Sequence, residues 1–190
     1  MSGSSFAVVG LGTMGRNLAL NIEEHGFPVA VWNLEPEKVD EFVSKNSGKK
    51  VTGTKTFADF TKALTRPRRI MMMIKAGSPV DQTIEKISPY LEEGDVIIDG
   101  GNTFWQDDVR RGAALKTKGL HYLDVGTSGG VWGIERGYCM MIGGDKAVVD
   151  RLDPIFKTLA PGAGDIARTP GREGRDPRIE QGYIHAGPSG

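Results

Sequence analysis

The chain has 190 residues, 38% of them hydrophobic, which is enough to fill one core of ordinary size. Its 24 basic and 24 acidic side chains cancel, so no global attraction draws it to nucleic acid or to an anionic membrane, and neither is expected as a partner. The single cysteine, Cys139, excludes an intrachain disulfide framework and a cysteine-rich zinc site; it reads as a small apolar core residue, and no metal is expected. The opening MSGSS, residues 1–5, reads as a flexible lead-in. No basic region precedes a long apolar run, and no stretch approaches the roughly 20 apolar residues of a membrane span, which predicts a soluble, cytoplasmic protein.

Residues 6–10, FAVVG, form a short apolar β run that ends in Gly10, Gly12 and Gly15, spaced GxGxxG. Directly after a strand and before a helix, that spacing suits a dinucleotide pyrophosphate. Gly10 permits the tight turn, Gly12 the close approach of backbone to phosphate, and Gly15 the packing of helix on strand. The helix N-terminus adds free N–H groups and partial positive charge. The helix runs from about Met14 to His25, with Leu18 and Ile22 on one face, and Gly26 stops it.

A second strand, Val29 to Asn33, leads to Pro36 at a natural first helical position, and the polar helix that follows turns Val39, Phe42 and Val43 inward. A short extended piece near Val51, a helix from Phe57 to Leu64 and a strand from Ile70 to Ile74 come next. Met71, Met72 and Met73 alternate across that strand and cannot converge on one ion, so they read as core. Ser78 and Pro79 open a helix reaching about Tyr90, and Asp95 to Asp99 is the next strand. About five βα units in this order predict an α/β fold, a Rossmann-type doubly wound and mostly parallel sheet over residues 6–160 with ligands at the carboxyl ends of its strands.

Two segments at those ends narrow the chemistry. In IIDGGNT a buried strand ends in two glycines, and Asn102 either offers its amide to a ligand or caps the helix that follows. In TSGGVWG, after the strand-like HYLDV, Ser128, Gly129 and Gly130 expose a hydroxyl and several backbone N–H groups that suit a carboxylate or phosphate; the same residues also suit an ordinary turn.

GLGTMGRNLALNIEEHGF, PRRIMMMIKAG, VIIDGGNT and TSGGVWGIERGYCMMIGG together resemble the decarboxylating 6-phosphogluconate dehydrogenases, within the β-hydroxyacid dehydrogenases, over nearly the whole chain. YCMMIGG is similar to the shorter bacterial form. The resemblance implies cofactor contacts at Gly10, Leu11, Gly12, Thr13, Met14 and Gly15, at Asn33, Leu34 and Glu35 beside the adenosine ribose, at Ile74, Lys75 and Ala76, and at Asn102. Asn102, Ser128, Gly129 and Gly130 are similarly placed to hold the sugar acid. It implies oxidation of the 3-hydroxyl of 6-phosphogluconate by NAD(P), then loss of carbon dioxide to give ribulose 5-phosphate, with a lysine as base.

In that family the lysine and a His-Asn pair follow a glycine-rich turn, and this sequence stops at the turn, in HAGPSG. No lysine occurs after Lys157, and Lys75 falls in the cofactor loop. No catalytic residue is therefore expected in this chain, and the lysine base is expected beyond Gly190. The expectation is a cofactor domain lacking the family's all-helical domain, inactive alone, with the complete enzyme a homo-oligomer through the missing part. Residues 161–190, rich in glycine and proline, read as a loop-like segment leading there. Arg168, Arg172, Arg175 and Arg178 read as solvated, and His185 stays outside the active site. Two other readings are another β-hydroxyacid dehydrogenase, such as one acting on hydroxyisobutyrate, and a non-catalytic dinucleotide sensor. NADP-using members follow the asparagine of the second strand with Arg and Thr. Here Leu34 and Glu35 stand there, which predicts NAD as the preferred cofactor, with NADP possible if Lys38 reaches a 2′-phosphate.

Overall fold

Alternating apolar residues in each strand send side chains to both faces of one sheet, and helices cover both. The computed structural model describes residues 3–165, 167, 170–171 and 174–190. The strands are β1 (Phe6–Val9), β2 (Val29–Trp32), β3 (Val51–Thr54), β4 (Arg69–Met72), β5 (Val96–Asp99), β6 (His121–Ser128), β7 (Cys139–Gly144) and β8 (Tyr183–Gly187). The helices are α1 (Thr13–Glu24), α2 (Pro36–Lys45), α3 (Phe57–Lys62), α4 (Ser78–Ile87), α5 (Trp105–Lys116), α6 (Gly133–Arg136) and α7 (Lys146–Leu159). They build an eight-stranded sheet in the order β3-β2-β1-β4-β5-β6-β7-β8. Strands β1 to β6 run parallel; β7 is antiparallel to β6, and β8 pairs parallel with β7.

The pleat divides the core. Phe6, Val8, Met71 and Ile98 face α1, α2 and α7, while Ala7, Val9, Met72 and Ile97 face α3, α4 and α5. Met71 and Met72 thus lie in opposite halves of the core, as their alternation requires. Burying each large apolar side chain contributes roughly 1.5–3 kcal/mol. The strand order reverses between β1 and β4, so a crevice opens at their carboxyl ends. No helix among the described residues is long and apolar enough to cross a membrane.

Four expectations are corrected. Residues 4 and 5 of the lead-in are ordered: Ser4 is buried, its N–H donates to Ala63 O at 2.7 Å, and its carbonyl accepts from Thr65 N at 2.9 Å. The segment 161–190, expected as loop, contains β8. An edge strand needs pairing on one side only, and Tyr183, the buried start of β8, sets its hydroxyl 3.2 Å from Asp153 Oδ1 on α7. The last residues of the segment pack on the domain. Gly190, with φ 86°, donates its N–H to Asp124 Oδ1 on β6 at 3.0 Å, and a Cβ there would come within 2.4 Å of Val109 on α5. Arg178 is not solvated but paired, its Nη2 and Nε each 2.7 Å from Asp150 and Asp153. Arg175 is exposed, whereas Arg168 and Arg172 lie outside the described residues. Cys139 is exposed, because on β7 it alternates with Met140 and Ile142, which take the core side.

Candidate functional site

At the mouth of β1 the glycine loop is shaped by its neighbours. Gly10 has φ 97°, and a Cβ there would come within 2.5 Å of Met73 O; one on Gly15 would come within 1.9 Å of Gly10 O. At Gly12 a Cβ would meet no protein atom within 4 Å, and no side chain caps α1, so its first N–H groups open onto free space. The residues present therefore fit a diphosphate seated on the helix terminus. Leu11 is buried and donates its N–H to Asn33 Oδ1 at 2.9 Å, while Arg16 Nε donates to Leu11 O at 2.8 Å. Thr13 is exposed and Met14 half-buried.

Asn33 is buried, and its Nδ2 donates to Glu35 O at 3.3 Å, so its amide ties the ends of β1 and β2 together. Beyond it Leu34 is 76% exposed. Glu35 immediately precedes α2 beside Lys38, whose ammonium hydrogen-bonds its carboxylate and holds the pKa of Glu35 below the usual range. After β4, Ile74 and Ala76 are half-buried and Lys75 exposed, on the turn that Gly77 closes before α4.

Asn102 does not cap a helix. Helix α5 begins at Trp105 with Phe104 before it, and the Asn102 side chain is exposed with no hydrogen bond among the described residues. The loop's anchor is Asp99, whose Oδ1 accepts from Gly101 N at 2.9 Å and whose Oδ2 accepts from the Thr103 hydroxyl at 2.8 Å. Ser128 is the last residue of β6, in register with Cys139 on β7. Asn102 and Ser128 line one cleft of about 530 Å³ with Thr127, Cys139, Met141 and Tyr183. Gly129 and Gly130 follow at its edge and are exposed. Under them lies the buried Tyr138 ring, 2.8 Å from where a Cβ on Gly129 would stand. Asn17 on α1 donates to Val131 O at 3.3 Å, tying this turn to the cofactor helix. Gly190, the residue beyond which the sequence puts the lysine base, is not among the residues lining this cleft.

The cleft wall from β7 and β8 escapes sequence reasoning, because glycine and proline around Tyr183 hide the strand. Arg111 and Asp81, which brace the two loops after β4 and β5, are missed as well. The available signal was an aspartate ending an otherwise apolar strand, since a buried carboxylate calls for a cation.

The open sheet, the crevice at its strand reversal and the uncapped α1 over free space define a Rossmann-type dinucleotide-binding domain. Residues 5–167 match the NAD binding domain of 6-phosphogluconate dehydrogenase, and the chain belongs to that family. It is 46% identical over 165 residues to the decarboxylating 6-phosphogluconate dehydrogenase of Escherichia coli, an alignment covering 87% of this chain and 35% of that protein. The chain thus spans about a third of the length of the relatives it matches. The Plasmodium falciparum 6-phosphogluconate dehydrogenase, described in its apo form and in complex with its cofactor NADP+ and its substrate 6-phosphogluconate, superimposes with a TM-score of 0.81 at 32% identity, over 97% of this chain and 37% of that one. The 3-hydroxyisobutyrate dehydrogenase of Mycobacterium tuberculosis aligns with a TM-score of 0.74 at 20% identity, over 98% of this chain and 55% of that one; this shows a shared fold alone.

Proposed function

We propose that this chain is the cofactor-binding part of an enzyme that oxidises and decarboxylates 6-phosphogluconate to ribulose 5-phosphate and carbon dioxide. The observation that carries the reading is the convergence of Asn102 and Ser128 on one cleft at the carboxyl edge of the sheet. A bound nicotinamide dinucleotide supplies the hydride acceptor. The α1 N-terminus and the Gly12 backbone hold its diphosphate, and the Asn102 amide and the Ser128 hydroxyl orient the sugar acid's hydroxyl and carboxylate. The residues lining the cleft include no lysine, histidine or carboxylate. Tyr183 is no base, since burial and the nearby Asp153 carboxylate push its pKa up to about 12. The family resemblance puts the proton acceptor in the helical part expected beyond Gly190, and on this reading the complete protein is a cytoplasmic homo-oligomer assembled through that part.

Fluorescence titration of the chain with NADH and NADPH, followed by an assay with 6-phosphogluconate, tests this. Saturable binding that raises the melting temperature, without turnover, is expected. Binding of neither dinucleotide, or turnover by the chain alone at a complete enzyme's rate, overturns it.

NAD is the preferred cofactor on this reading. Leu34 brings no charge, Glu35 stays ionised beside Lys38, and Lys38 is already engaged by that carboxylate instead of being free for a 2′-phosphate. At one ionic strength NADH should bind at least about fivefold more tightly than NADPH. Leu34→Arg with Glu35→Thr should reverse the order. Tighter NADPH binding by the native chain overturns the preference.

A further inference from the structure

The two loops that close the crevice after β4 and β5 share one buried cation. Arg111 on α5 is 2% exposed. Its Nε and Nη2 donate to the two oxygens of Asp81 on α4, each at 2.9 Å, and Nη2 also donates to Gly77 O at 3.1 Å. Its Nη1 lies 3.5 Å from Asp99 Oδ2 and has no hydrogen-bond partner among the described residues. Asp99 in turn holds Gly101 N and the Thr103 hydroxyl, and the Tyr122 hydroxyl stands 3.2 Å from its Oδ2. One guanidinium thus fixes the end of the turn carrying Lys75 and Ala76 and the start of the turn carrying Asn102.

A buried ion pair is a poor device for stability alone, since apolar residues of equal volume stabilise as well or better. Its fork instead fixes a geometry, here the separation of two loops. We propose that Arg111 is a positioning residue that sets the spacing of the 74–77 and 100–103 loops and thereby the affinity for the dinucleotide. The affinity half rests on the function proposed above; the loop half does not.

The control is Arg68, whose Nη1 is 2.7 Å from the buried Asp95 at the opposite edge of the sheet. Arg111→Met and Arg68→Met should both lower the melting temperature. Arg111→Met alone should weaken NADH and NADPH binding about tenfold, with Arg68→Met within about twofold of the native chain. In the unliganded chain, amide hydrogen exchange at residues 75–77 and 101–103 should accelerate in Arg111→Met only. Arg111→Lys, which keeps the charge and loses the fork, should fall between. If Arg111→Met does not fold, Asp81→Asn at the more exposed end of the bridge makes the same comparison. Equal loss of affinity in the Arg68 and Arg111 variants, or unchanged exchange at the two loops, overturns the proposal. If the native chain binds neither dinucleotide, the proposed function falls, and the exchange comparison still decides the role of Arg111.

Discussion

The two edges of the sheet solve the same problem in opposite ways. At the amino edge, Asp95 is fully buried and fully satisfied, accepting from Arg68 N and Nη1 at 2.7 Å each and from Glu92 N at 3.0 Å. The bracket is closed. At the carboxyl edge, Arg111, Asp99, Tyr122 and Asp108 are buried together, Arg111 Nη1 has no hydrogen-bond partner among the described residues, and Asp99 spends its oxygens on a loop. Buried charge at the first edge locks strands; at the second it presents loops. After β5 the carboxyl end thus carries a less completely satisfied arrangement than the amino end, and it is on the carboxyl side of a parallel sheet that ligands bind.

The largest effect should come from breaking the closed bracket. Asp95→Ala removes the acceptor of Arg68 N, Arg68 Nη1 and Glu92 N, leaves Arg68 only its Glu92 and Thr61 contacts, and should cost about 2–4 kcal/mol, lowering the melting temperature by roughly 10 °C, with dinucleotide affinity unchanged. Differential scanning fluorimetry with and without NADH checks both halves. Gly12→Val reverses the pattern at the other edge. A Cβ at this position meets no protein atom within 4 Å, so the melting temperature should hold within a few degrees, while binding weakens about 10- to 100-fold through the lost approach to the diphosphate.

A pH scan sharpens the contrast further. Asp108 is 4% exposed; burial and the Asp99 and Asp124 carboxylates push its pKa up to about 6, against the Tyr122 hydroxyl and Arg111, which pull it down. The folded chain thus takes up a proton at higher pH than the unfolded chain, whose ordinary value is 3.8. This stabilisation is complete below about pH 4 and is lost as pH rises through 6, an effect of about 1–3 kcal/mol. Asp81 is shifted the other way, to about 2 by Arg111, so its contribution is lost only at lower pH and is constant across this window. Asp108→Asn should flatten melting temperature against pH between 4 and 6 relative to the native chain; an unchanged slope would assign it to other groups. The smallest effect on folding belongs to Ser128→Ala. In the complete enzyme it should lower kcat/KM for 6-phosphogluconate and leave the melting temperature within a few degrees, whereas a large stability loss with unchanged kinetics would make the serine a structural residue.

Most of the sheet was legible because a buried parallel strand is a continuous apolar run and its crossover helix has apolar positions at helical spacing, as in FAVVG followed by Leu18 and Ile22. Gly10 and Gly15 were legible through their GxGxxG spacing between strand and helix, and each stands where a Cβ would strike backbone. What stayed hidden depends on contacts distant in sequence. Strand β8 owes its place to Arg178 and Tyr183 meeting α7, and no local period announces it. Asn102 could not be separated from a cap until α5 proved to begin at Trp105. The Arg111 bridge to Asp81 joins residues 30 apart in sequence, and its charges look like any solvated helix face until the fold buries them.

The exposure of Cys139 has a practical consequence. It is the chain's single cysteine, it lines the cleft with Asn102, and it pairs across the sheet with Ser128. A thiol-reactive dye would therefore label one site, within the cleft, with no residue replaced. The rate of that labelling, followed as sugar acids or dinucleotides are added, becomes a direct optical measure of which compound enters and how fully it fills the space.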